Sequence, residues 1–231
     1  MESRLGHLAI EALFPRFCVS CKREGSLMCQ PCLNHWTPVS LQASCPFCAV
    51  KGSNWTCRAC RNDRYLDGLT SFVPYGNPLF RDLLFSWKYD SDTSVEEIFL
   101  RSLRRALPAF SLPVIFSCVT YVPLHCSRER VRGFDQALRV AQWAGELFRI
   151  PFETLVYRAQ RTLPRARTKQ EERFVGEMDG IFKRIDGMRV PEHILLCDDV
   201  FTSGSTMDAV ARLFKEQGAK TVWGFVLAKG G

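Results

Sequence analysis

The stretch Ile194-Leu195-Leu196-Cys197 is a short apolar run that ends in two carboxylates, Asp198 and Asp199. A hydroxyl- and glycine-rich turn, Thr202-Ser203-Gly204-Ser205-Thr206, follows after Val200 and Phe201, and from Met207 to Phe214 apolar residues recur at helical spacing. The order predicts strand, loop and helix. A run that is apolar throughout suits a strand covered on both faces of a parallel sheet. Ligands of such sheets sit outside the carboxyl ends of the strands, against the start of the next helix. The expected fold is therefore α/β, a parallel sheet with helices on both faces.

The same stretch has a chemistry. Backbone N–H groups of a tight turn at a helix start point at an anion, and the helix dipole favours it. Gly204 lets the backbone come close, because no Cβ intervenes. The hydroxyls of Thr202, Ser203, Ser205 and Thr206 add donors. Ionised Asp198 and Asp199 only accept hydrogen bonds, which suits a ligand rich in hydroxyls. A phosphate beside a vicinal diol is a sugar phosphate. Helix capping is the plainer explanation, but capping needs one residue, not this ordered set. The segment resembles the phosphoribosyl pyrophosphate (PRPP) signature of type I phosphoribosyltransferases. That resemblance implies that Asp198 and Asp199 receive the ribose hydroxyls and that residues 202–206 wrap the 5′-phosphate.

Eight of the eleven cysteines fall in four Cys-x-x-Cys pairs: Cys18/Cys21, Cys29/Cys32, Cys45/Cys48 and Cys57/Cys60. Two thiolates at this spacing offer adjacent corners of a tetrahedron, and two such pairs close a four-sulfur zinc site. Eight ligands fit two zinc ions, paired either along the sequence or interleaved. Redox dithiols would need a strand-loop-helix frame around one motif, and four repeats argue against that. In so short and polar a segment, metal binding supplies much of the folding free energy. Trp36, Phe47 and Trp55 lie among these pairs and read as the ribbon's small core rather than a platform for stacked bases.

The chain of 231 residues has room for one sizeable domain and a small one. The expected division is 1–64 for an N-terminal helix and double zinc ribbon, and 65–231 for the sheet domain. The helix is expected over residues 5–14, ended by Pro15, with too few cations for a membrane-surface segment. A net charge of +7 favours polyanionic or phosphorylated partners. No apolar run approaches the ~20 residues of a membrane span, and the first residues lack a secretory pattern. Cytoplasmic location is expected, with thiols rather than disulfides.

Leu69 to Val73 reads as the entry strand, and Pro78–Tyr89 and Glu96–Leu107 read as helices. Cys118 to Leu124 is the next strand. Beyond its end, Pro123, Leu124 and His125 lead into Arg128, Arg130 and Arg132, and a helix follows. Arginine forks hold phosphate oxygens bidentately, so this loop reads as a second anion site, fit for pyrophosphate. A solvated basic face is the alternative. Thr221 to Ala228 closes the chain as a strand.

The run Arg132-Gly133-Phe134-Asp135-Gln136-Ala137, after Val122-Pro123-Leu124-His125, is similar to the middle motif of the competence protein ComF family, with Asp135 in place of the usual Asn. Those proteins join a cysteine-rich zinc ribbon to a type I phosphoribosyltransferase domain, and the likeness here runs from Leu13-Phe14-Pro15 to Val226. It implies PRPP binding with magnesium, phosphoribosyl transfer to an unspecified acceptor, and a place in natural competence, DNA uptake and transformation. Single-stranded DNA and the uptake machinery are the implied partners. The region from Thr162 to Phe182 departs from the family pattern, with Arg165 where the family has Gln and Gly176 or Glu177 where it has Asn, and it overlaps the basic segment 158–173. That segment's cations Arg161, Arg165, Arg167 and Lys169 suit a nucleic-acid backbone or an ordinary solvated loop. A scaffold that kept the fold without turnover is the further alternative.

Overall fold

A computed structural model describes residues 15–36, 43–89, 94–110, 112–124, 130, 133–159 and 180–230. The expected helix over residues 5–14 lies outside the described residues. So do His125, Arg128 and Arg132, and nearly all of the segment 158–173. The chain groups into two compact units. One comprises residues 1–38 and 77–106, the other 39–76 and 107–231. Each contains one set of four cysteines, so these units are not consecutive halves of the chain.

The first unit holds a short helix, α1 (Gln30–His35), and two longer ones, α2 (Pro78–Tyr89) and α3 (Ser94–Ala106). The face Phe80, Leu83, Leu84 and Trp87 of α2 is buried, as its spacing predicts. Phe99 of α3 is the hub of the packing. Its ring centroid lies 5.5 Å from Phe80, 5.6 Å from Trp87 and 6.5 Å from Trp36, next to the first cysteine group. Arg105 donates to the carbonyls of Leu33 and Asn34 at 2.7 and 2.8 Å, which satisfies the open end of α1.

The second unit is built on a parallel sheet of β1 (Gly68–Pro74), β2 (Cys118–Tyr121), β5 (His193–Phe201) and β6 (Thr221–Lys229), in the order β1-β6-β5-β2. A separate antiparallel pair, β3 (Val156–Arg158) and β4 (Phe182–Arg184), brackets residues 160–179. Helix α4 (Gln136–Phe148) follows β2, and α5 (Ser205–Glu216) follows β5. One buried cluster joins Met207, Val210, Ala211 and Phe214 of α5 to Leu196, Val222 and Val226 of the sheet. Phe110, Phe148 and Phe225 form a second aromatic cluster.

The order of the strands locates a crevice. From β2 the chain passes through α4 to Phe152, which bridges in parallel to Val119. From β5 it passes through α5 to β6, on the opposite side. The winding direction therefore reverses between β2 and β5. Parallel sheets open a ligand crevice at the carboxyl ends of such a strand pair.

Candidate functional site at the carboxyl ends of β2 and β5

The predicted strand through Ile194 extends further than its apolar run. Asp198 and Asp199 lie inside β5, which continues to Phe201, because β6 still runs alongside and pairs Asp198 with Val226 and Phe201 with Lys229. On the other flank the ladder stops earlier, with Val122 N–H on the Cys197 carbonyl at 2.9 Å. The acids therefore stand where β5 has outrun β2. Both are half-buried. Alternation along the strand directs their side chains to opposite faces. Asp198 Oδ1 accepts the Asp199 N–H at 2.8 Å.

The turn after β5 begins with exposed Thr202 and Ser203, then buried Gly204, which is the N-cap of α5 with φ +77°. Gly204 is required twice over. Its backbone is left-handed, and an added Cβ would lie 2.2 Å from Phe201 Cζ and 2.9 Å from Phe47 Cε1. Half-buried Ser205 and Thr206 open the helix. Ser203 Oγ lies 3.1 Å from Ser205 Oγ.

On the β2 side, buried Pro123 and half-buried Leu124 follow the strand. Asp135 ties them to α4. Its Oδ2 accepts the Leu124 N–H at 2.7 Å, and its Oδ1 accepts those of Ala137 and Leu138 at 2.9 and 3.3 Å. These three N–H groups are all donors, which suits a carboxylate with two accepting oxygens where the family's Asn has one. Arg130 is exposed.

The two cysteine groups resolve the pairing left open by spacing. Cys18, Cys21, Cys29 and Cys32 gather in one, and Cys45, Cys48, Cys57 and Cys60 in the other, the ligand atoms of each group lying within 4.8 Å of one another. Cys21 and Cys29 sulfurs are 3.6 Å apart, and so are those of Cys48 and Cys57. A tetrahedral zinc with bonds of about 2.3 Å sets its sulfurs about 3.8 Å apart, so donor type and spacing fit one zinc in each.

The groups are built alike. The Cys29 N–H meets Cys18 Sγ at 3.4 Å, and the Cys57 N–H meets Cys45 Sγ at 3.4 Å. Lys22 and Ala49, each directly after a cysteine, have φ of 60° and 58°. Burial pushes the Cys18 thiol up, but backbone N–H groups of Cys21, Cys29 and Ser20 outweigh it and hold it at about 6. At Cys45 burial is likewise outweighed, by the N–H groups of Cys48, Cys57 and Phe47, giving about 6.

The second group is fastened to the sheet. Phe47 packs edge-on against Phe201, centroids 5.8 Å apart, and Trp55 against Trp223 at 5.0 Å. Lys229, at the end of β6, donates to Ser44 Oγ at 3.0 Å and the Cys45 carbonyl at 3.3 Å. Burial pushes the Lys229 ammonium down, while Cys45 and Cys48 work against that shift. The aromatic residues among the cysteines are thus core. That core is shared with Phe99 for Trp36 and with the sheet for Phe47 and Trp55.

Two relatives match across both the cysteine-bearing and sheet-forming parts. The competence protein ComFC of Streptococcus pneumoniae is 26% identical over 212 residues, covering 90% of this chain and 90% of that protein. The chain resembles the ComF family over most of its length. ComFC of Bacillus subtilis is 28% identical over 193 residues, covering 83% of this chain and 75% of that protein. No protein-family model matches the chain. Among the described residues, no helix is long and apolar enough to cross a membrane.

Three features of the candidate site escaped the sequence reading. Asp135 was legible as a helix cap, an acid directly before a helical pattern, but its bond to Leu124 was not. Asp208 accepts the N–H groups of Tyr65 and Leu66 at 2.7 and 2.9 Å, fixing the start of α5 to the chain leaving the second cysteine group. Burial pushes the Asp208 carboxyl up, against those two N–H groups and Arg64. Phe47 was read as ribbon core, but its contact with Phe201 had no local signal, because that partner lies far along the chain.

Proposed function

We propose that this chain binds a phosphoribosyl ligand of the PRPP type in the crevice at the ends of β2 and β5. We further propose that it serves in competence, as the names of its ComFC relatives suggest, and that it acts there in DNA uptake in the cytoplasm. The observation that carries the reading is the Gly204 turn, which joins an acid-tipped strand to a helix start where the winding reverses. The N–H groups and hydroxyls of residues 202–206 would hold the 5′-phosphate. Asp198 and Asp199 would accept the ribose hydroxyls. Pro123, Leu124 and His125, with Arg128, Arg130 and Arg132, would face the pyrophosphate. Bound magnesium would neutralise charge on the departing pyrophosphate. As a phosphoribosyltransferase, the chain would hold an oxocarbenium-like sugar against its acceptor by fixing the phosphate.

Calorimetric titration with PRPP and magnesium tests the reading. Binding is expected, and the double change D198N/D199N is expected to weaken it at least about tenfold, since two charge-assisted bonds of about 1.5 kcal/mol or more are lost. No heat at millimolar PRPP ends the proposal.

A polynucleotide reading is supported by a separate observation. Phe85 and Tyr89 on α2 are 60% and 63% exposed, their rings 4.8 Å apart, on the helix that also carries Arg81 and Lys88. Exposed aromatic rings near cations stack single-stranded bases. Anisotropy with single-stranded oligonucleotides should show affinity falling as salt rises. Absence of binding at low salt would dispose of it.

A further inference from the structure

The second cysteine group does more than fold its own segment. Phe47 sits between the paired cysteines Cys45 and Cys48, so metal at that centre fixes where its ring can go. The ring packs on Phe201, the last residue of β5, and borders the space above Gly204. The Arg64 guanidinium lies 4.9 Å over the same ring and 3.8 Å from Asp208. Asp208 N–H in turn donates to the Gly204 carbonyl at 2.9 Å. The Gly230 N–H holds the Phe201 carbonyl at 2.7 Å, while neighbouring Lys229 holds Cys45. The turn that would grip a phosphate thus has the metal knuckle as its back wall.

We propose that Phe47 is a positioning residue for the 202–206 turn, and that metal at the Cys45/Cys48/Cys57/Cys60 centre holds the turn in its anion-binding shape through that ring. The ligand-binding half of this statement rests on the phosphoribosyl reading above. The mechanical half does not. Phosphate binding by backbone N–H groups depends on their pointing at one place before the ligand arrives, so a turn freed to rearrange binds weakly. Packing of an aromatic ring against a glycine leaves the turn little room to move.

The chain supplies its own test substitution. Ser20 occupies in Cys18-Val19-Ser20-Cys21 the place of Phe47 in Cys45-Pro46-Phe47-Cys48. A knuckle with serine there still brings its four thiols together, so F47S is expected to keep both metals. Zinc content, hydrogen exchange at the amides of residues 202–208, and PRPP titration would be measured on the full chain. F47S should retain two zinc ions per chain, exchange at least tenfold faster in the turn, and bind PRPP about tenfold more weakly. F47L should fall between F47S and the parent. C48S, which breaks the second centre, should accelerate the same amides, while C21S, which breaks the first, should leave them within twofold of the parent.

Unchanged exchange in F47S, or equal acceleration by C21S and C48S, overturns the proposal. If the turn loosens in F47S but the parent itself binds no PRPP, the mechanical coupling stands and the phosphoribosyl half is overturned.

Discussion

From Cys18 to Gly25, and again from Cys45 to Gly52, the two cysteine knuckles follow one path. Cys18 N–H meets the Arg23 carbonyl at 2.8 Å, and Cys45 N–H meets that of Val50 at 2.9 Å. Gly25 and Gly52 have φ of 116° and 129°. Beyond that path they diverge. The first runs into α1, whose end is held by Arg105 of α3, and its aromatic neighbour Trp36 belongs to the Phe99 cluster. The second ends in a short 3-10 turn, Cys60–Asn62, and reaches the sheet through Phe47, Trp55 and Lys229. Four thiols and a left-handed residue set the local shape. One or two side chains outside the ligand set decide what that shape supports.

The largest effect should come from breaking either centre. Structural zinc contributes on the order of 10 kcal/mol to folding of small metal domains, so C29S and C57S should each lower zinc from two to one per chain. They should also disturb different tryptophans. C29S should alter the environment of Trp36, and C57S that of Trp55, read as the fluorescence difference between each variant and the same variant with that one indole of the chain's five replaced (W36F or W55F). A parent chain that binds a single zinc would break the comparison at its root.

G204A is the next strongest. It places a Cβ against Phe201 and Phe47 and forces a left-handed alanine, together about 3 kcal/mol or more. Thermal unfolding should show a large loss in midpoint, with two zinc ions still bound below the transition. A neutral G204A would mean that the ring wall is not packed on the turn.

These two regions also differ in how much of them the sequence exposed. The cysteine spacing announced two four-thiol groups fit for zinc, with sequential pairing the simplest and interleaving not excluded, because spacing constrains each pair and not which pairs meet. A repeat was available to settle it: a glycine stands at the same place after Cys18 and after Cys45. The apolar run before Asp198 and the helical period after Gly204 were legible because strand and helix periods are local. The bounds of α2 matched its apolar face, and β5 overran its apolar run because β6 was long enough to pair with the acids. The Phe47–Phe201 contact, the bonds of Asp208 to Tyr65 and Leu66, and the Asp135–Leu124 bond were not readable. Their partners are long-range, and neither hydropathy period nor motif carries that information. The division at 64/65 follows composition, whereas packing puts residues 43–64 with the sheet.

Removing the tethers sharpens the comparison at smaller scale. R105A takes two hydrogen bonds from the end of α1, and K229M takes two from the start of the second knuckle. Each should cost about 1 kcal/mol, because water replaces part of what is lost. The readout is the order of local opening in hydrogen exchange. R105A should loosen residues 30–36, and K229M residues 43–48 with the end of β6. A reversed pattern would assign the tethers to the wrong knuckles.

Ser20→Phe should have the smallest effect and is the most discriminating. It gives the first knuckle the aromatic ring that distinguishes the second. Ser20 is exposed, so a substitution there should change stability by no more than about 0.5 kcal/mol. Zinc content should stay at two, and exchange at residues 202–208 should match the parent. The ring alone is inert unless a glycine turn lies beneath it, and of these two knuckle positions it is Phe47 that borders Gly204. If Ser20→Phe instead altered the turn, the effect of Phe47 would belong to aromatic bulk anywhere in the chain, and its contact with Phe201 would explain nothing.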